Sequence, residues 1–148
     1  MLGKHLLLEL YQCDRALLDD EAFLRSECVA AARAMGASVV GVHSHRFQPV
    51  GLSVVVILAE SHLALHTWPE HATASADIFV CNLTADLHRA KGHLAACLRS
   101  RQVSELELSR GQPGHDRRAV GWVESARPTR AGNSSLVGLA DSAHPTTH

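Results

Sequence analysis

The residues best suited to chemistry in this sequence lie between positions 59 and 81. Ser61 directly follows Glu60 at the end of an apolar run, and His66 comes shortly after it. Cys81 ends the next apolar segment. A serine hydroxyl is a weak nucleophile until a base takes its proton, and an imidazole titrates in the right range for that task. The stretch therefore offers a candidate nucleophile, a candidate base and a candidate acid.

Two familiar arrangements of these residue types fit poorly. A serine hydrolase needs a nucleophile elbow of the form GxSxG, which the sequence around Ser61 lacks. A metal site could use His62, His66 and His71, but their spacing differs from that of HExxH. In a strand, residues an even number of positions apart, such as His62 and His66, lie on the same face, so a metal site stays an alternative. It is the weaker interpretation, and we expect no metal ion.

The apolar pattern predicts the elements that must position these residues. Apolar residues at helical spacing predict one helix after the N-cap candidates Asp19 and Asp20, ending near Gly36, and a second helix over 84–101. Alternating or continuous apolar runs predict strands over 5–11, 37–45, 52–59, 63–67, 74–80 and 102–108, with a turn at 47–51. The order β-α-β-β-β-β-α-β predicts an α+β fold, a two-layer sandwich of one antiparallel sheet with two helices on one face.

Length and charge restrict the class of protein. A chain of 148 residues suits one domain, and a formal net charge of -1 favours neither nucleic acid nor an anionic membrane as a partner. No apolar run approaches the roughly 20 residues that span a bilayer. The four cysteines form no CxxC pair, which favours reduced thiols in a cytoplasmic protein over a disulfide scaffold.

The character of the chain changes after Arg110. Residues 111–148 are rich in Gly, Pro, Ser, Thr, Arg and Ala and show no sustained period. Such a composition cannot bury enough apolar surface to offset the entropy of ordering. The sequence therefore predicts one domain over 1–110 followed by a disordered tail.

The stretch AESHLALHTWPE resembles the bacterial and archaeal S-adenosylmethionine decarboxylase proenzymes. The resemblance runs from about Gly3 to Arg110 and includes GKHLLLELYQCD, HRFQPVG and the spacing from Ser61 to His66 to Cys81. It implies a self-processing, pyruvoyl-dependent decarboxylase of S-adenosylmethionine. The decarboxylated product would supply aminopropyl groups for spermidine synthesis.

The resemblance also implies a cut between Glu60 and Ser61. The Ser61 hydroxyl attacks the Glu60 carbonyl, the amide becomes an ester, and β-elimination followed by loss of ammonia leaves a pyruvoyl group. The products would be a β chain of residues 1–60 and an α chain beginning at 61. The pyruvoyl ketone would form a Schiff base with the substrate amine and accept the electrons that decarboxylation releases.

Individual roles follow from the same resemblance. Residues matching those that move protons in the family are the processing base His66, the assisting hydroxyl Ser53 and the proton donor Cys81. For the substrate, Phe47 matches a family residue that contacts the nucleoside and Glu70 one that accepts from the ribose hydroxyls, while Trp68 offers a second aromatic face for stacking. Family members form homodimers with active sites at or near the subunit interface, so a homodimer is expected here.

Four positions depart from the family pattern. An aromatic-glycine-aromatic run usually follows Pro-Glu, where this chain has His71, Ala72 and Thr73, and glycine usually follows the catalytic cysteine, where this chain has Asn82. These departures leave open a related pyruvoyl decarboxylase acting on arginine or ornithine. A third hypothesis is an inactive binding module with the same fold, which the intact Ser61, His66 and Cys81 argue against.

Overall fold

Six strands form one antiparallel sheet in the computed structural model, which describes residues 2–59 and 61–111. In chain order they are β1 (Gly3–Tyr11), β2 (Val39–Arg46), β3 (Leu52–Leu58), β4 (Ser61–Trp68), β5 (Thr73–Val80) and β6 (Gln102–Arg110). Across the sheet the order is β2-β3-β4-β5-β1-β6, and each neighbouring pair is antiparallel. The first strand of the chain therefore lies between β5 and β6.

Two helices, α1 (Glu21–Ala34) and α2 (Leu87–Cys97), cover one face of this sheet. Each begins at an aspartate whose side chain accepts a backbone hydrogen bond: Asp20 from Phe23 N at 3.0 Å, and Asp86 from His88 N at 3.2 Å. Such caps satisfy N–H groups that have no partner within the helix. The α+β two-layer sandwich predicted from the element order is confirmed.

The core lies between the sheet and the two helices. Alternate side chains of the strands point toward the helices, and each fully buried leucine or isoleucine stabilises the fold by about 1.5–3 kcal/mol. The largest buried strand side chains are Leu6, Leu8, Leu10, Leu52, Leu63, Leu65 and Ile78. Among the described residues, no helix covers the opposite face of the sheet, called the open face below.

The predicted element boundaries are corrected at two places that matter for the site. Strand β4 begins at Ser61 rather than at residue 63, because Ser61 already pairs with Leu58 and Val80. Helix α2 is shorter than the predicted 84–101, since its cap is Asp86 and Arg99 adopts a left-handed φ of 54° just beyond its end. Ser61 is therefore a strand residue.

The structure bears on some of the other predictions about the chain, while others concern residues that it does not describe. All four cysteines lie in the described part of the chain and are free thiols. No described helix has the length and apolar character needed to cross a bilayer. Strand β6 ends at Arg110, where the predicted domain ends. Residues 112–148 of the predicted tail, and Glu60 at the predicted cut, lie outside the described residues.

Candidate active site

Ser61 lies at the start of β4, immediately after the connection from β3. Its strand partners are Leu58 on one side and Val80 on the other. Its φ is 152°, a conformation that residues other than glycine rarely adopt and that stores backbone strain. The Ser61 hydroxyl oxygen lies 3.3 Å from Nδ1 of His62. The candidate nucleophile is thus held in a strained backbone with an imidazole next to it.

Cys81 lies at the same end of the sheet as Ser61. It is the residue immediately after Val80, the partner of Ser61 on β5, and it is exposed to solvent. The other three cysteines differ in this respect. Burial raises the pKa of Cys28 to about 12 and that of Cys97 to about 12, and it also raises the pKa of Cys13. Among the four thiols, Cys81 is therefore the most exposed to solvent.

Ser53 and His66 form a pair on the open face of the sheet. They are directly opposite each other on β3 and β4, and the Ser53 hydroxyl oxygen lies 2.6 Å from Nδ1 of His66. In this pair the imidazole can exchange a proton with the hydroxyl, as a processing base and its helper must. The two residues that the sequence assigned to assist cleavage are thus in direct contact.

The structure does not bring His66 to Ser61 within one chain. Both belong to β4, and five residues of strand at about 3.3 Å each separate them by about 16 Å. No side-chain rotation spans that distance. The described residues therefore form two half-sites, one with Ser61 and Cys81 and the other with Ser53 and His66.

A cavity of about 420 Å³ adjoins the second half-site. Its walls come from the turn after β2, from the ends of β3 and β4, and from a short 3-10 helix, Pro69–His71. Predicted substrate residues and processing residues line it together: Phe47, Ser53, His66, Trp68 and Glu70. Phe47 is 48 % and Trp68 42 % exposed, so both aromatic faces are available. The volume lies in the range of pockets for small molecules.

Two residues that sequence reasoning did not assign to the site shape this cavity. Asp19 was a candidate helix cap, but the cap is Asp20; Asp19 instead accepts hydrogen bonds from Arg46 Nη1 at 3.0 Å and from Gly51 N at 3.1 Å. These bonds fasten both ends of the turn that carries Phe47. The sequence signal for this role was weak: two adjacent aspartates precede α1, and only one of them can cap the helix.

Thr67 is the second residue of this kind. It is buried between His66 and Trp68, where its hydroxyl accepts a hydrogen bond from Leu52 N at 3.0 Å and donates one to the Leu18 carbonyl at 2.8 Å. Gly51 packs against the Thr67 backbone so closely that an added Cβ would lie 2.9 Å from the Thr67 carbonyl oxygen. Thr67 thus joins the floor of the cavity to the rest of the fold.

The four departures from the family pattern differ in their structural effect. Ala72 has a φ of 52°, in the left-handed region that favours glycine, so the family's usual glycine at this place has a backbone reason. Asn82 is not among the residues with positive φ, and its side chain accepts hydrogen bonds from the backbone and hydroxyl of Thr84. His71 and Thr73 flank Ala72 and do not line the cavity.

The histidines considered as metal ligands do not converge. His62 and His66 belong to β4, and His71 lies in the 3-10 helix. In the part of the chain that the structure describes, these three do not form a group of ligand atoms within reach of one ion. In the described residues, ligand-type side chains converge instead between the two helices.

Comparisons with known proteins identify the family. The sequence model of the family described as S-adenosylmethionine decarboxylase matches residues 4–111. The chain is 42 % identical over 111 residues to the S-adenosylmethionine decarboxylase proenzyme of Thermotoga maritima, covering 75 % of this chain and 85 % of that protein. It is 47 % identical over 94 residues to the proenzyme of Synechococcus sp. WH7803, covering 64 % and 73 %.

A solved structure agrees with this assignment. The crystal structure of the adenosylmethionine decarboxylase from Aquifex aeolicus superposes with a TM-score of 0.70 at 30 % identity, covering 78 % of this chain and 95 % of that one. The fold is therefore that of an α+β decarboxylase. The chain belongs to the S-adenosylmethionine decarboxylase family, and the resemblance read from the sequence is confirmed.

Proposed function

We propose that this chain is a self-processing decarboxylase of S-adenosylmethionine that uses a pyruvoyl group made from Ser61. Its product would be the aminopropyl donor for spermidine synthesis. The observation that carries the proposal is the cavity in which the predicted substrate residues Phe47, Trp68 and Glu70 meet the Ser53–His66 pair. The family comparisons do not favour the alternative substrates arginine and ornithine.

Self-cleavage would begin with attack of the Ser61 hydroxyl on the carbonyl carbon of Glu60. The proton of Ser61 passes to a base, the amide nitrogen becomes a free amine, and Glu60 is held as an ester. Removal of the Cα proton of Ser61 then expels the Glu60 carboxylate and leaves dehydroalanine. Addition of water and loss of ammonia complete the pyruvoyl group. The strained φ of Ser61 favours the first step, because that step frees the Ser61 nitrogen from the amide and so relieves the constraint on φ.

The place of Ser61 suits a pyruvoyl group. After the cut it would be a chain terminus, yet the ladders from β4 to β3 and β5 would still hold it in the sheet. When present, a pyruvoyl group supplies an electron sink for the decarboxylation of an amino acid. Cys81 is one residue beyond the strand partner of Ser61 and has an exposed thiol, which supports its proposed role of returning a proton to the substrate carbon.

We further propose that the working unit is a homodimer in which each site takes one half-site from each subunit. The two half-sites are about 16 Å apart in one chain, so the pair Ser53–His66 cannot serve its own Ser61. The open face presents apolar side chains that no described helix covers, including Ile57, which is 42 % exposed. A second copy stacked on this face would cover it and bring complementary half-sites together.

A complementation experiment tests both cleavage and this arrangement. Ser61→Ala and His66→Ala chains, carrying different tags, are produced separately and together, with His88→Ala as a control on an exposed histidine. Each of the first two variants alone should stay uncut. In the mixture, the His66→Ala chain should be cut after residue 60, because its partner supplies the imidazole.

The outcomes separate the two parts of the proposal. A wild-type chain that never separates into two fragments would defeat self-processing. Efficient cutting of wild type with no cutting in the mixture would retain self-processing and refute the shared site. Mass spectrometry of the larger fragment should find a blocked N-terminus at residue 61.

The choice of substrate is tested on the processed enzyme. Stacking on Phe47 or Trp68 contributes on the order of 1 kcal/mol, and a hydrogen bond to the charged Glu70 roughly 1.5–3 kcal/mol. Together these favour a nucleoside-bearing substrate by about a hundredfold. CO₂ release should therefore be faster from S-adenosylmethionine than from arginine or ornithine, and Glu70→Gln should reduce it without slowing cleavage. Faster release from either amino acid would overturn the assignment of substrate.

A further inference from the structure

A second group of chemically active side chains lies between the two helices, on the side of the sheet away from the open face. Glu27 comes from α1, and His93 and Cys97 come from α2. The ligand atoms of these three residues all lie within 4.8 Å of one another, and His93 Nε2 lies 2.7 Å from Glu27 Oε2. His93 and Cys97 are four residues apart, so they project from the same side of the helix.

The composition of this group matches the ligands that zinc takes in proteins. Zn²⁺ binds thiolate sulfur at about 2.3 Å, imidazole nitrogen at about 2.0–2.1 Å and carboxylate oxygen at about 2.0–2.2 Å, in a tetrahedral arrangement. The three side-chain donors already lie close enough that small rotations would bring them to three of the four positions of such a shell. We propose that Glu27, His93 and Cys97 form a Zn²⁺ site, with water as the fourth ligand.

Burial and access are consistent with a bound ion. The side chains of His93 and Glu27 are 32 % and 24 % exposed, so an ion can enter from solvent yet lies mostly inside the helix layer. The thiol of Cys97 points back along its own helix, toward the Leu94 carbonyl at 3.4 Å. On binding, the metal would replace the thiol proton, which leaves to solvent, and would also replace the direct contact between His93 and Glu27.

Such a site would join the two helices across the proposed cut. Helix α1 precedes residue 60 and α2 follows residue 61, so the metal would link the two chains of the processed enzyme. This consequence rests on the proposed function, whereas metal binding itself does not. Because the site lies apart from the substrate cavity, we assign it no part in decarboxylation.

Cobalt serves as the probe, because Co²⁺ takes the same ligands and absorbs light when a thiolate binds it. Purified protein is stripped with a chelator and titrated with Co²⁺, and the thiolate-to-cobalt band in the near ultraviolet is recorded. Stoichiometric binding with that band is expected, and Zn²⁺ should remove it by competition. Zn²⁺ should also raise the melting temperature of the stripped protein.

Variants assign the ligands. Cys97→Ala should abolish the thiolate band, and His93→Ala should weaken binding by more than the roughly 10–100-fold that loss of an outer partner costs. His88→Ala and Cys28→Ala, which alter another histidine of α2 and the neighbouring thiol of α1, should bind Co²⁺ as wild type does. His93 is partly exposed, so His93→Ala carries the test if Cys97→Ala fails to fold.

Two results would overturn the proposal. One is the absence of a thiolate-to-cobalt band when the wild-type protein is titrated with Co²⁺ up to concentrations near that of the protein. The other is a band that survives both Cys97→Ala and His93→Ala. The test is independent of self-cleavage, because it can be repeated on the Ser61→Ala chain, which should bind Co²⁺ equally well whether or not the cleavage proposal is correct.

Discussion

Replacing Thr67 by valine should destabilise the fold strongly, although the two side chains have nearly the same shape. The substitution removes one hydroxyl that accepts from Leu52 N and donates to the Leu18 carbonyl. Leu52, Leu18 and Thr67 are all buried, so water cannot replace the lost partners easily.

The magnitude follows from the groups left unsatisfied. A buried polar group without a partner costs about 1–3 kcal/mol, and Thr67→Val leaves two of them. The extra methyl group returns about 0.8 kcal/mol. The net loss should be about 1–5 kcal/mol, a large share of the roughly 5–15 kcal/mol that stabilises a typical domain.

Urea denaturation of the uncleaved Ser61→Ala chain, at one fixed protein concentration, measures this loss without interference from processing. Thr73→Val is the matched control, since the Thr73 hydroxyl makes a single exposed bond to the His71 carbonyl at 3.0 Å. Thr73→Val should change the free energy of unfolding by less than about 0.5 kcal/mol. Equal effects of the two substitutions would refute the reasoning.

Three further perturbations test other features. Ala72→Gly should stabilise the uncleaved chain by about 1 kcal/mol in urea denaturation, because glycine adopts the left-handed φ at position 72 without strain. The control Ala85→Gly should destabilise the chain. A loss of stability in Ala72→Gly would contradict the assigned strain. The Cys28 thiol has its pKa raised from 9.0 to about 12 by burial, so its contribution to stability is full below pH 9 and is lost as pH rises from 9 toward 12. Between pH 8 and pH 10 wild type should therefore lose about 1.4 kcal/mol more than Cys28→Ala, and equal losses would show that this thiol is not the cause. Cys81→Ala should still self-cleave but release little CO₂ from S-adenosylmethionine, and unchanged release would remove Cys81 from the reaction.

The sequence predicted the layers and order of the fold because hydrophobic periodicity records which face of each element is buried. The alternation in β5 and the helical spacing in α1 and α2 are local signals, and the structure follows them. The ends of elements depend instead on single caps and turns. The start of α2 moved to Leu87 because Asp86, rather than an earlier residue, caps the helix.

The site was predictable only in part, for a related reason. The identities of Ser53, Phe47, His66, Trp68 and Glu70 could be taken from the resemblance, and the structure places them around one cavity. The distance of about 16 Å from Ser61 to His66 was not predicted, because the predicted strand began at residue 63 and left Ser61 outside it, whereas both residues belong to β4.

Other contacts could not be predicted from local patterns. The bonds of Asp19 to Arg46 and Gly51, and the meeting of Glu27 with His93, join residues that are far apart in the chain. Local patterns do not encode such pairings.

The place of β1 in the sheet has a consequence for how the mature enzyme could be regained after unfolding. A cut before Ser61 assigns β1, β2 and β3 to one polypeptide and β4, β5 and β6 to the other. The ladders β3–β4, β5–β1 and β1–β6 would then run between polypeptides, with β1 of one inserted between two strands of the other. The uncut precursor can regain this arrangement by a first-order reaction. The separated polypeptides would have to meet first, at a rate that rises with their concentration and competes with aggregation. Self-cleavage would thus leave the lifetime of the enzyme governed by its barrier to unfolding rather than by its folding equilibrium.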